Sequence, residues 1–333
     1  MRLPSARPWP LLAAPTAAVT VGSQLAALAC AAGESEARQW LVRMKAAANG
    51  SNYEGTLVYS AGGVMSSSRV WHYHVAGQTY ERMETQDGRQ QRIYRHNDDV
   101  RTVWPQTRTA IVERRETLAA WSTTPQEVDP RAADSYDLKP EGEARVAGRE
   151  AAVFLLTPRD ALRFAQRLWA DRATGLMLRA DVIAPDGSLV ESSAFSVIEL
   201  GVKAQPDSVL QAMRQDDGLR IVRPQQQRTT LEAQGWTVAK PVQGFALAGS
   251  VLRGLEAGGP EPLMLQAVFS DGLTHVSVFV ERFDPARHRS AMQAKLGATN
   301  TVMRRVDEHW LTVVGDVPAT ALSQFAEALV RRR

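Results

Sequence analysis

His72 and His74 stand two residues apart in a stretch of alternating character. On a strand both rings project from one face, and such a pair can hold a metal ion. No Cys or clustered carboxylate completes a ligand set around them, so neither a metal nor a cofactor is expected. Ser270-Asp271-Gly272 invites a nucleophile reading, yet it lacks the Gly-x-Ser-x-Gly frame and the strand-to-helix turn that presents such a serine. A hairpin turn explains it, because Asp-Gly supplies the positive-φ positions of a two-residue loop. Asp160 and Asp171 flank an Arg-rich strand. Salt bridging and turn capping account for them better than paired-acid catalysis, which needs two carboxylates across a cleft. His275 follows a hairpin turn and His309 precedes a strand, neither beside a group that would make it a base. No glycine-rich phosphate loop is present. With no catalytic set assembled, a non-enzymatic binding protein is expected.

The elements that would position these residues form two domains, since 333 residues exceed one ordinary core and 44% are hydrophobic. Lys+Arg 39 against Asp+Glu 36 leaves +3, with no long basic stripe, so no nucleic-acid partner is expected. Arg331, Arg332 and Arg333 form the one dense basic cluster and read as solubilising charge. Residues 1–32 read as a cleaved signal peptide, and the chain as exported. Arg2 and Arg7 precede an uncharged stretch from Leu11 to Ala32, and small residues crowd its end at Ala27-Leu28-Ala29. Cys30 is the single cysteine, so no internal disulfide forms. Ala27-Leu28-Ala29-Cys30 partly resembles a lipoprotein processing box, but Ala27 stands where Leu is usual, and lipidation of Cys30 is left open.

From Ser35 to Ala48 the spacing predicts an amphipathic helix, with Ala37, Trp40, Leu41, Met44 and Ala48 on one stripe and Asn49-Gly50 as its stop. The period then changes to two. Strands are expected at Tyr53–Ser60, Arg69–Val75, Thr79–Thr85, Arg92–His96, Val100–Trp104 and Ala110–Arg114, then a helix-tending Glu116–Trp121. A second group covers Ala151–Leu156, Arg163–Ala170, Leu176–Ile183 and Leu189–Ile198, with Leu176, Leu178, Ala180 and Val182 on one face. One curved antiparallel sheet with a helix inside its curve makes a first domain, residues 33–202. Residues 203–234 read as a loose linker carrying one short helix, Ser208–Gln215, and permitting domain motion. Residues 235–333 form the second domain: a Leu263–Phe269 and Thr274–Arg282 hairpin, a helix over Pro285–Leu296, a second hairpin (Thr301–Val306 and Trp310–Val314), and a last helix opened by Pro318 and capped by Asp316.

Several blocks, in order, resemble the MucB/RseB family. They are Gly55-Thr56-Leu57-Val58-Tyr59; Thr157-Pro158-Arg159-Asp160 with Arg163-Phe164 and Arg167-Leu168-Trp169-Ala170-Asp171; Thr174-Gly175-Leu176; Phe269-Ser270-Asp271-Gly272-Leu273 with Val276-Ser277-Val278-Phe279; and Thr312-Val313-Val314-Gly315-Asp316-Val317-Pro318. Arg163-Phe164 departs from the Arg-Tyr pair common in that family, which bears on ligand preference. The resemblance implies an α+β chain: a LolA-like incomplete barrel with an apolar interior, then a smaller C-terminal half-barrel of sheet and helices that binds an anti-sigma factor. It also implies a periplasmic protein that binds the periplasmic part of a transmembrane anti-sigma factor (RseA or MucA) and shields it from proteolysis. Lipid or lipopolysaccharide would be the releasing signal.

Binding physics then selects residues. Leu57, Val70, Leu155, Leu168, Leu178 and Ile183 are candidates to line a groove for acyl chains, each buried methylene contributing about 0.8 kcal/mol, although core filling explains them as well. Arg163, Arg167 and Arg179 could meet lipid phosphate or simply face solvent. Phe269, Ser270, Asp271, Gly272, Leu273, Ser277 and Phe279 on the second-domain hairpin are candidates for the anti-sigma contact, by strand addition or in an inter-domain groove. The alternative function is a periplasmic lipid or lipoprotein carrier of the LolA type, which would leave the second domain without a task. A homo-oligomer is left open.

Overall fold

The computed structural model describes residues 36, 38–114, 129–254, 263–288 and 293–332. The expected leader, Cys30 and the Glu116–Trp121 segment lie outside the described residues. Residues 38–50 form helix α1, whose Leu41, Met44 and Ala47 are buried at three-residue spacing while Val42 and Arg43 face out. Asn49 closes it by donating to the Lys45 carbonyl at 2.9 Å.

Eleven strands follow: β1 (Tyr53–Ala61), β2 (Val64–Val75), β3 (Gln78–Thr85), β4 (Arg92–His96), β5 (Asp99–Trp104), β6 (Thr109–Arg114), β7 (Tyr136–Val146), β8 (Arg149–Pro158), β9 (Ala165–Asp171), β10 (Met177–Ile183) and β11 (Leu189–Leu200). Then come α2 (Pro206–Arg214) and β12 (Arg220–Val222). These strands make one 12-stranded sheet, ordered β12-β6-β5-β4-β3-β2-β1-β11-β10-β9-β8-β7. Its two ends do not pair with each other, so it is an open curved sheet. Short hairpin turns hold it in register, as at Gly62-Gly63, whose φ values of 57° and 80° suit a two-residue turn.

The second domain contains β13 (Gln226–Arg228), β14 (Trp236–Val238), β15 (Ala246–Arg253), β16 (Met264–Ser270), β17 (His275–Arg282), β18 (Gln293–Leu296), β19 (Thr299–Val306), β20 (His309–Gly315), α3 (Ala319–Ala328) and β21 (Leu329–Arg331). Seven of its strands form an antiparallel sheet ordered β13-β15-β16-β17-β20-β19-β18, and β14 pairs with β21. Helix α3 buries Leu322 and Phe325 against this sheet, where Phe325 meets Phe245 and Phe269 at centroid distances of 5.2 Å. The chain is α+β, with a smaller C-terminal sheet-and-helix domain.

Several local expectations need correction. Residues 293–296 are an edge strand and not the end of a helix, because the left-handed Gly297 (φ 60°) folds them back onto β19; residues 289–292 lie outside the described set. Ahead of them, Asp284 accepts from the Ala286 amide at 2.8 Å and so makes a turn, not a helix start. Asp316 does not cap α3. Its carboxylate accepts from the Thr299 hydroxyl at 2.6 Å, and α3 follows Pro318 without a side-chain cap.

The segment expected to be a loose linker is structured at both ends. Arg101, 1% exposed, donates to the Met213 and Gln215 carbonyls at 2.8 and 2.5 Å and pairs with Asp216 at 2.7 Å, closing the C-terminus of α2. Val209 of α2 packs with Tyr94, Val103 and Ala110. Strand β12 then joins β6 in parallel, and β13 joins β15 of the second sheet. Arg223, Pro224 and Gln225 alone separate the strand belonging to one sheet from the strand belonging to the other.

Candidate functional site at the domain seam

The hairpin between β16 and β17 leaves its own domain. Its loop spans four residues, Asp271 to Thr274, and not the two expected, since Ser270 pairs with His275. Asp271 turns inward and accepts from the Leu273 and Thr274 amides at 2.9 and 2.8 Å, while Gly272 adopts φ 95°. That geometry drives Leu273, 1% exposed, into the first domain's core beside Tyr136, Phe154, Leu156 and Leu168. Burial of one leucine stabilises the seam by about 2 kcal/mol. In return, Leu162 of the first domain packs against the second domain's core.

Arg163 sits at the centre. The sequence places it on a strand, but β9 begins at Ala165, and Arg163 lies in the bend before it. Its side chain is fully buried and donates to Asp271 at 2.6 Å, to the Gln243 carbonyl at 2.9 Å, and to Asp160. The guanidinium also lies over the Phe245 ring, 4.3 Å from its centroid. Tyr136 donates to Asp271 at 3.4 Å, and burial together with the adjacent Asp271 carboxylate keeps its phenol protonated. The Asp129 amide donates to the Gly272 carbonyl at 2.7 Å. Burial pushes the Asp129 carboxyl upward, but bonds from Lys45 and from the Arg131 amide and side chain outweigh it and hold it at about 2. A buried charge is tolerated only when its hydrogen bonds are met, and here both partners have theirs.

Phe269, Asp271, Gly272, Leu273 and Ser277 are buried within the chain, and Ser270 and Phe279 are half-buried. The tip of this hairpin contacts the chain's own first domain. Leu57 and Val70 pack together with Ala47 of α1, and Leu168 packs with Leu41 and Met44, so α1 covers all three. Leu178 lies elsewhere, with Ala151, Val153 and Trp169. A bulge between Met177 and Arg179 shifts the alternation, so that Met177 and Ala180 share a cluster and Leu176, Leu178 and Ala180 do not share a face as expected. Leu155 and Ile183 are half-buried. Arg167 pairs with Glu141 and Arg179 with Asp181. The six groove candidates thus do not form one lining.

The histidines and acids are structural. His72 is 3% exposed, stacks on Tyr53 and bonds the Ser51 carbonyl at 2.7 Å, while the His74 amide donates to Asn52. His309 meets Trp236 edge to face. Asp160 holds Arg163 and accepts from the Leu162 amide, and Asp171 accepts from Arg149 and the Thr174 amide, the salt-bridging and turn-making roles expected. No group of three or more His, Cys, Asp or Glu suited to a metal occurs among the described residues. Sequence reasoning missed Gln243 and Phe245 as partners of Arg163 and Tyr136 as a partner of Asp271, and no local spacing signals them.

Two family models match this architecture: the MucB/RseB N-terminal domain over residues 36–213 and the MucB/RseB C-terminal domain over residues 230–330. The chain belongs to the MucB/RseB family. It is 30% identical over 298 residues to the sigma factor AlgU regulatory protein MucB of Pseudomonas aeruginosa, covering 88% of this chain and 90% of that one. It is 24% identical to the sigma-E factor regulatory protein RseB of Haemophilus influenzae, over 88% of this chain and 91% of that protein. Among solved structures it is similar to the Pseudomonas aeruginosa MucA/MucB complex, with TM-score 0.68, 27% identity, 90% of this chain and 99% of that chain. It is also similar to MucB in complex with MucA(peri), with TM-score 0.67 and 27% identity over 89% of this chain and 99% of that chain. MucB/RseB proteins are regulatory binding proteins, and this chain takes its place among regulators of sigma-factor activity.

Proposed function

We propose that this chain is an exported, periplasmic negative regulator of an envelope-stress sigma factor. In this reading it binds the periplasmic part of a transmembrane anti-sigma factor and shields that segment from regulated proteolysis. Lipid or lipopolysaccharide acts as the releasing signal. The observation that carries the reading is the likeness, across both domains, to a MucB chain solved with MucA(peri). The seam supports it: a regulator that must hold a peptide needs a defined domain arrangement, and Leu273 with Arg163–Asp271 supplies one.

The test is capture of the periplasmic segment of the anti-sigma protein from the same genome by the purified mature chain. A stoichiometric complex that slows proteolysis of that segment, and loosens when lipopolysaccharide is added, is the expected result. Recovery of acylated lipoproteins in place of the anti-sigma segment would instead establish a LolA-type carrier. Deleting the gene should raise transcription from promoters of the cognate sigma factor; unchanged transcription counts against regulation.

A further inference from the structure

A second contact joins the domains beside Phe164, the residue after Arg163. There the β1–β2 turn and the start of β11 meet the β18–β19 turn and the end of β20. Glu191 of β11 reaches across to accept from the Ala298 amide at 3.2 Å, and Ala298, fully buried, packs with Phe164, Val182 and Val190 of the first domain. Facing Glu191 from the second domain is Asp316, just past β20. Two half-buried carboxyls from different domains thus share one contact.

We infer that the domain seam is proton-linked: protonation of the facing carboxyls Glu191 and Asp316 strengthens closure of the two domains, and their ionisation loosens it. The groups around them do not neutralise the pair. Among the described residues no Lys or Arg forms an ion pair with either acid at this contact. From β1, Tyr59 lies beside Glu191, and burial and that carboxylate keep the phenol protonated. From β19, the neutral Thr299 hydroxyl donates to Asp316. From β17, His275 is the one nearby base, and burial lowers its pKa, so it is uncharged at neutral pH despite Asp271 and Asp316 beside it. Burial raises the Glu191 carboxyl and Asp316 raises it further, outweighing Tyr59 and the Ala298 amide, which lower it; burial likewise raises Asp316 against the lowering by Thr299 and His275.

Both acids therefore bind protons more readily with the domains closed than apart. Closure is favoured most below the ordinary carboxyl range and loses this contribution as pH rises through the raised values. A carboxyl whose pKa rises by about one on closing changes the closed-to-open ratio by about tenfold over that range.

The experiment is an inter-domain distance measurement on the full mature chain, with any retained Cys30 replaced by Ser and spin labels at the exposed positions Gln90 and Glu308. The distance distribution is recorded from roughly pH 5 to pH 8, with circular dichroism confirming the fold at each pH. The expected result is a growing long-distance population as pH rises. In Glu191→Gln/Asp316→Asn, which keeps the hydrogen-bonding shapes, the short distance should persist at every pH. A wild-type distribution that does not change with pH overturns the inference, and so does a pH response retained in the double amide variant. Arg163→Gln serves as a control: it should widen the distribution at all pH values while the trend with pH keeps its direction.

Discussion

Arg163 and Asp271 lie 108 positions apart, belong to different domains, and meet as a fully buried ion pair at 2.6 Å. Removing one member leaves the other charged, desolvated and unmatched. Asp271→Asn should therefore cost about 3–5 kcal/mol in urea unfolding, with the two domains no longer melting together. Arg163→Met/Asp271→Leu should recover most of that loss, because a matched apolar pair carries no buried charge. A double-variant loss equal to the sum of the two single losses would show that the pair is not coupled.

Arg101 tests whether the connector is a built element. Its guanidinium holds two carbonyls and one carboxylate at the end of α2. Arg101→Met should free the 206–222 segment, costing about 3 kcal/mol. Tryptic cleavage should speed up at Arg214 and Arg220, and amide exchange should rise over α2 and β12 without a rise in β13. Cleavage at the wild-type rate would mean that packing of Val209 alone retains the helix.

Asp129 supplies part of the acid limb of stability. Its carboxyl is held at about 2 by Lys45 and Arg131, below the value near 4 of a free aspartate. A depressed carboxyl stabilises the fold above its ordinary value and loses that contribution as pH falls toward about 2. Asp129→Asn should lower stability by about 2 kcal/mol at neutral pH and match the wild type at about pH 2. Unfolding midpoints measured across that range check it. Parallel curves for the two proteins would place the contribution elsewhere.

Much of the architecture was legible along the chain. The buried stripe of Leu41 and Met44 with the stop at Asn49-Gly50, the paired turn glycines, and the alternation of β1, β16 and β17 are short-range patterns, and a 3.6 or 2.0 period reports them directly. The ordered family blocks carried the regulatory reading for the same reason, each block being a local run of residues. Alternation failed at Leu178, where one bulged residue reverses every later side chain, and hydrophobicity alone cannot locate a bulge. It failed again for the connector, whose Gln- and Arg-rich stretch looks solvated yet gives a strand to each sheet, because main-chain pairing asks little of the side chains.

The sequence by itself determined most of the element types and the family. The tertiary structure decided which polar residues are buried and with whom. Asp271 reads as an ordinary turn former until folding brings Arg163 and Tyr136 to it, and nothing in the sequence around Glu191 signals that Asp316 lies near it from the other domain. Whether burying a charge stabilises or costs depends on partners hundreds of atoms away along the chain, and only the closed fold brings them within hydrogen-bonding range.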